Sequence, residues 1–194
     1  LMRSLQLTTL AARTMREEKH AVICGFGRSG QYLARFMARE GVGYVALDLD
    51  PDRVREATAA GEHVVYGNAT RREMLIAAGI KRASVLVITF SDLRAAENVL
   101  RQVREINPAL PVVVRTIDDK DFDVLQRAGA AEVVPETLES SMMLASHALI
   151  HAGVPIGRVL KQIRQTRVAR YRTLRGFFHG ESDHDEDEHE DRKS

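Results

Sequence analysis

Cysteine is nearly absent. With Cys24 alone, the chain can form no intrachain disulfide and no CxxC zinc site. Cys24 stands in the apolar run Ala21-Val22-Ile23-Cys24, the setting of a buried small hydrophobe in a reducing, cytoplasmic-side compartment rather than of a reactive thiol. No run of about 18 apolar residues occurs, the length a transmembrane helix needs. The opening Leu1-Met2-Arg3-Ser4 has no apolar signal-peptide core. A start on Leu rather than Met reads as a piece cut from something longer. Aromatic residues make up 5% and form no ladder on which single-stranded nucleic acid could stack. Lysine occurs only at Lys19, Lys81, Lys120, Lys161 and Lys193, none paired with a nearby tyrosine. The chain therefore lacks a Tyr-Lys arrangement for proton transfer beside a nicotinamide.

Net charge is small as well. The 28 Lys+Arg and 27 Asp+Glu residues leave +1, which excludes a wholly basic nucleic-acid binder. Apolar residues at 44% and charged residues at 28% exclude global disorder and collagen-like repeats. The length of 194 residues gives one domain with an appendage, at roughly 150 residues per domain. The small net charge is a cancellation. The stretch from Ile156 to Leu174 carries Arg158, Lys161, Arg164, Arg167, Arg170 and Arg172 with no acid, whereas 181–191 is almost wholly Asp, Glu and His.

Residues 4–18 read as a modest helix, with Leu5, Leu7, Leu10, Ala11 and Met15 along one face. From His20 onward, short apolar runs alternate with helical segments. Strands are expected at 20–25, 43–47, 63–66, 84–89, 111–116 and 132–134. Helices are expected at 28–41, 52–60, 71–78, 93–106, 118–128, 138–152 and 156–174. In the first of these helices Tyr32, Leu33, Phe36 and Met37 are assigned to the apolar side. Strand–helix alternation at this spacing means βαβ units, and right-handed crossovers wind them into an α/β, doubly wound, Rossmann-like sheet. The expectation is six mostly parallel strands with helices on both faces, plus C-terminal helices. Four segments follow: a linker helix 1–19, a nucleotide-binding domain 20–137, a helical extension 138–175 and a disordered acidic tail 176–194.

The chemistry lies at the ends of the strands. Gly25-Phe26-Gly27-Arg28-Ser29-Gly30 is a GxGxxG sequence placed directly after a strand and opening a helix. Gly25 permits the tight turn, Gly27 lets backbone approach a phosphate, and Gly30 lets helix pack on strand. The unpaired N–H groups of the first helical turn, with the helix dipole behind them, favour an anion there. The competing reading is a purely structural glycine turn. The second strand ends in Leu47-Asp48-Leu49-Asp50, and Asp48 is spaced to accept both ribose hydroxyls. Its charge repels a 2′-phosphate, which favours NAD or adenosine nucleotides over NADP. Asp50, before Pro51, fits a helix N-cap or a ligand contact equally. Asn68, in Tyr66-Gly67-Asn68-Ala69-Thr70, suits an adenine edge or ribose, and Thr70 fits either the site or the next helix cap. Thr89 and Phe90 leave the fourth strand beside the same crevice, where Phe90 flanks a base or simply packs.

Together, Gly25–Gly30, Asp48-Leu49-Asp50 and Tyr66–Thr70 resemble the regulatory nucleotide-binding domain of potassium transporters and channels, called RCK, KTN or TrkA-N. Arg115-Thr116-Ile117-Asp118-Asp119 through Leu125–Ala130 resembles its later half. Leu138-Glu139-Ser140-Ser141 through Gly153-Val154-Pro155 is most similar to the Kef-type, glutathione-regulated potassium-efflux antiporters. The resemblance spans about residues 20–155. It implies that the glycines and Arg28 surround nucleotide phosphates, Asp48 holds ribose and Asn68 lies near adenine, although many members carry Asp at that position. The implied cofactor is NAD(H) or AMP/ATP, with glutathione as an effector at a dimer junction near basic side chains such as Arg115. The implied partners are a second copy, joined through the helix 93–106, and a transmembrane antiporter domain of the same full-length chain. Some Kef members add a quinone-reductase-like ancillary subunit. The location implied is the cytoplasmic face of the inner membrane, and the role is gating rather than catalysis.

Alternative functions are a stand-alone NAD-binding subunit of a potassium-uptake system and an NAD-dependent dehydrogenase, for whose substrate domain the chain leaves no room. Among the weaker signals, His147 and His151 lie four apart on one helix without a third ligand. His179, His184 and His189 in the tail have no fixed ligand spacing. The basic helix carries no recognised DNA-binding motif, and no nucleic-acid partner is expected. It could instead hold the acidic tail or face anionic lipid.

Overall fold

The structure is a computed structural model that describes residues 20–175, with side chains through residue 169. The expected linker helix 1–19 and the acidic tail 176–194 lie outside the described residues. The chain divides into two compact units at Leu138/Glu139.

In the first unit the described elements run β1 (His20–Cys24), α1 (Arg28–Arg39), β2 (Gly43–Asp48), α2 (Pro51–Ala59), β3 (Val64–Tyr66), α3 (Arg72–Ala77), β4 (Val85–Ile88), α4 (Leu93–Ile106), β5 (Val112–Thr116), α5 (Phe122–Arg127) and β6 (Glu132–Pro135). The six strands form one sheet in the order β3-β2-β1-β4-β5-β6, and every pairing is parallel. This is the Rossmann order, and its reversal between β1 and β4 opens a crevice at the carboxyl edge. Register places Cys24 between Leu47 and Ile88, and Asp48 beside Tyr66. The functional strand ends therefore gather around one point.

The central strand explains the apolar runs. Every residue of β1 is fully buried, as a parallel strand covered on both faces requires. On one side Ala21, Ile23, Phe26, Ala34, Tyr44, Ala46, Ala57 and Val64 pack together, with Leu33 and Met37 against them. Helix α4 buries Ala96, Val99, Leu100 and Val103, an i, i+3, i+4, i+7 stripe. Each large aliphatic side chain so buried is worth about 1.5–3 kcal/mol. Cys24 is one of these buried residues, and burial pushes its thiol from 9.0 up to about 12. Burial also pushes the pKa of the Tyr44 phenol upward, as does its hydroxyl's donation to Glu62.

Three local expectations are corrected. Tyr32 and Phe36 are not on the packed face of α1: they are 60% and 62% exposed, with the guanidinium groups of Arg35 and Arg39 lying 5.5 and 5.7 Å over their rings. The packed face is Gly30, Leu33, Ala34 and Met37. Helix α5 starts at Phe122, not Asp118, because Asp118 is held in a turn: its carbonyl accepts from Thr116 Oγ1 at 2.6 Å and its carboxylate from Lys120 N at 3.1 Å. Thr70 does not cap α3, whose N-cap is Arg71.

The second unit contains most of α6 (Glu136–His151) and all of α7 (Ile156–Arg175), broken apart at Gly153-Val154-Pro155. It buries Met142 and Val159, and an Arg167–Glu139 ion pair spans 2.7 Å. Met143, Leu144, Ile150, Ile156 and Leu160 are exposed, as are His147 and His151. No helix among the described residues is long and apolar enough to cross a membrane.

Candidate nucleotide-binding site

The site begins with the turn after β1. Gly25 has φ +105°, a conformation that side-chain-bearing residues rarely adopt. Its N–H donates to Leu47 O at 2.8 Å, and its carbonyl accepts from Thr89 Oγ1 at 2.7 Å. Thr89 N also donates to Cys24 O at 3.0 Å, so the fourth strand holds the turn of the first. Gly30 lies one helical turn on, where an added Cβ would overlap the carbonyl of Gly25. Gly27 is different: a Cβ there would meet no protein atom within 4 Å. It is the N-cap of α1, with no side chain capping the helix and no acid in the first turn. The first-turn N–H groups are thus left to an external acceptor, and the helix dipole makes an anion the favoured one.

Asp48 is 6% exposed at the end of β2. Its Oδ2 accepts from Phe26 N at 2.7 Å, its Oδ1 from Asp50 N at 2.8 Å, and Arg53 Nη1 reaches both oxygens at 3.1 Å. Burial of a carboxylate demands such partners. Asp50 resolves to the N-cap of α2, accepting from Asp52 N at 3.0 Å and Arg53 N at 3.3 Å. Asn68 forms an Asx turn: Oδ1 takes Thr70 N at 3.0 Å and Thr70 Oγ1 at 2.6 Å.

These groups surround a cavity of about 550 Å³ at the carboxyl edge of the sheet. Of the residues the sequence singled out, Gly25, Gly27, Arg28, Ser29, Asp48, Leu49, Asn68, Ala69, Thr70, Thr89 and Phe90 line it. Phe26, Gly30 and Asp50 do not. The Phe26 ring is 2% exposed in the core, stacked 6.3 Å from Tyr44, so only its backbone serves the site. Gly67 and Asp92, from the two loops the sequence placed at the crevice, line it as well, whereas sequence reasoning missed Arg53 and Ala95. Arg115 lines it too, donating to Thr89 O at 2.6 Å and pairing with Glu136 at 2.5 Å. A smaller cavity of about 130 Å³ adjoins it and shares Phe90, Asp92 and Arg115. Among the described residues no cluster of His, Cys, Asp or Glu is arranged for a metal ion.

The TrkA-N domain model matches residues 21–136. The chain belongs to the TrkA-N family. The chain is 46% identical over 166 residues to the K(+) efflux antiporter KefB of Alkalimonas amylolytica, covering 86% of this chain and 25% of that protein. It is 33% identical over 138 residues to the glutathione-regulated potassium-efflux system protein KefC of Escherichia coli O157:H7, covering 71% of this chain and 22% of that protein. The chain thus spans a quarter or less of the length of these curated relatives. Among solved structures it resembles the Kef CTD of Shewanella denitrificans in AMP-bound form, at 26% identity and a TM-score of 0.70, over 81% of this chain and 96% of that one. The GsuK channel bound to NAD shares the fold, with 23% identity and a TM-score of 0.58 over 67% of this chain and 23% of that one.

Proposed function

We propose that this TrkA-N domain is a regulatory module that senses an adenine nucleotide, AMP or NAD(H), and gates a Kef-type potassium efflux antiporter carried elsewhere on the full-length chain. The observation that carries the reading is the single cavity edge on which an uncapped helix N-terminus, an open Gly27 and the buried carboxylate of Asp48 meet. Phosphate belongs at the helix and ribose at Asp48, which leaves the Asn68 amide and Phe90 for the base. The AMP-bound form of the similar Kef CTD supports this assignment of ligand class.

Such a module needs no catalytic step. A ligand that binds one conformation better shifts the population toward it, and a tenfold difference in affinity supplies about 1.4 kcal/mol. The name of KefC supports glutathione as a second effector, with Arg115 and the smaller adjoining cavity as its place. The working unit in this reading is a homodimer at the cytoplasmic face of the membrane, joined by a quinone-reductase-like subunit where the Kef branch uses one. The exposed side of α4 is charged at Arg94, Arg101 and Glu105, whereas α6 and α7 expose Met143, Leu144, Ile150, Ile156 and Leu160 close together in sequence, which favours the latter pair as the contact.

The test is thermal shift and calorimetry with AMP, ATP, NAD, NADH and NADPH, with Asp48→Ala alongside. AMP or NAD should raise the melting temperature without being consumed, and Asp48→Ala should abolish the shift. Turnover of NAD, or the absence of any shift in the native sequence, would refute the reading.

A further inference from the structure

The carboxylate assigned to ribose is already full. A carboxylate offers about four lone-pair sites. At Asp48, Phe26 N and Asp50 N fill one on each oxygen, and Arg53 Nη1 approaches the remaining one on each at 3.1 Å. A ribose diol brings two O–H donors and needs two acceptor sites. The backbone donors cannot withdraw: Phe26 is fixed by its buried ring, and Asp50 by its cap on α2. Arg53 can. Its side chain is 41% exposed, and its Nη2 already lies 3.8 Å from Asp50 Oδ2, a second carboxylate that can hold the guanidinium once it leaves Asp48.

We propose that Arg53 is the specificity-determining residue of the ribose subsite: it fills Asp48 in the empty site, and ribose must displace it to bind. This rests on the nucleotide reading of the cavity. Two consequences follow. Every ligand with free 2′- and 3′-hydroxyls binds against the cost of breaking the Arg53–Asp48 contact. The displaced guanidinium, held beside the same carboxylate, is a planar donor that suits a phosphate ester. A 2′-phosphate that Asp48 alone would repel is therefore partly accommodated. Arg53 weakens binding of the plain ribose and narrows the preference that Asp48 would otherwise impose.

The experiment is calorimetric titration of the native chain, Arg53→Met and Asp48→Asn with two matched pairs: AMP against adenosine 2′,5′-bisphosphate, and NAD against NADP. Arg53→Met removes the donors and keeps a stem of similar length. Asp48 retains both backbone partners, so the variant folds. The expected result is about three- to tenfold tighter binding of AMP or NAD in Arg53→Met, as for loss of a partly exposed charge pair, with a weaker 2′-phosphorylated partner in each pair. If Arg53→Met binds AMP and NAD no more tightly than the native chain while Asp48→Asn loses them, the role of Arg53 is wrong and the nucleotide site stands. If the folded native chain binds none of the four, the nucleotide reading falls, and the ribose role of Arg53 with it.

Discussion

Two alanine substitutions in one glycine-rich turn should behave oppositely. In Gly30→Ala the new Cβ overlaps the Gly25 carbonyl oxygen and stands 3.2 Å from the Gly25 carbonyl carbon. Relief requires a backbone shift. Gly25 cannot give easily, because Leu47 holds its N–H at 2.8 Å and Thr89 its carbonyl at 2.7 Å. Helix α1 cannot lift without unpacking Leu33, Ala34 and Met37 from the core. Overpacking of this kind costs about 1–3 kcal/mol or more. Against it stands the helix propensity of alanine over glycine, about 1 kcal/mol at an interior position. Gly30 opens the helix rather than occupying its middle, so the gain is smaller and the clash wins. The net loss is about 0.5–2.5 kcal/mol, which for a domain of this size lowers the melting temperature by roughly 2–10 °C. Gly27→Ala meets no protein atom and has φ −71°, which alanine adopts freely. Replacing an N-cap glycine costs at most about 1 kcal/mol. Its methyl group, however, projects where a phosphate would approach the helix. The expected pattern is a stability loss in Gly30→Ala and a selective loss of AMP or NAD binding in Gly27→Ala. Thermal melts with and without nucleotide measure both. A Gly30→Ala protein as stable as the native chain, or a Gly27→Ala protein that binds nucleotide normally, would refute the assignment of the two glycines to packing and to phosphate approach.

Two other outcomes are open to direct measurement. Because burial raises the Cys24 thiol from 9.0 to about 12, the folded chain keeps its proton where the unfolded chain loses it. The unfolded state then binds fewer protons, so the stability contributed by this group is intact below about pH 9 and falls as pH rises toward 12. In the same way, the native chain should react with a thiol reagent at neutral pH only after denaturant is added. On α6, Leu144 is 73% exposed, and burying a leucine is worth about 1.5–3 kcal/mol. In the proposed homodimer, Leu144→Asp should therefore shift dimer to monomer in light scattering at micromolar concentration, while an unchanged dimer would move the interface elsewhere.

The doubly wound parallel sheet and the carboxyl-edge crevice were legible because every signal agreed. Apolar runs of four to six residues, glycine turns and helical spacing each pointed to βαβ units, and β1 is buried along its whole length as that architecture demands, with Leu86 and Ile88 of β4 buried beside it. Boundaries shifted by a residue or two at most ends, and by four where a turn took over at Asp118. Arg53 was not legible. Its sequence neighbours mark it as one more charged residue on an exposed helix. Only the chain reversal at Asp50-Pro51 returns its guanidinium to the strand end it left five residues earlier. Asn68 was read by its donor and acceptor groups, but its oxygen is committed to Thr70, so only the amide nitrogen is left for a ligand.

The face of α1 is a different case, because the sequence held the answer. Tyr32 and Phe36 are large and apolar, and hydrophobicity alone assigned them inward. Yet Gly30 was assigned to the close contact between helix and strand, and that fixes the rotation of the helix. At 100° per residue, Leu33, Ala34 and Met37 fall within about 60° of Gly30, whereas Tyr32 and Phe36 fall at about 200° and 240°, on the opposite side. A helix cannot present both sets to one sheet. The small residues must win, because Gly30 and Ala34 allow a backbone approach that an aromatic ring would block, and the two rings are left outside with arginines over them. A glycine required by geometry outranks the hydrophobicity of its neighbours in deciding which way a helix faces.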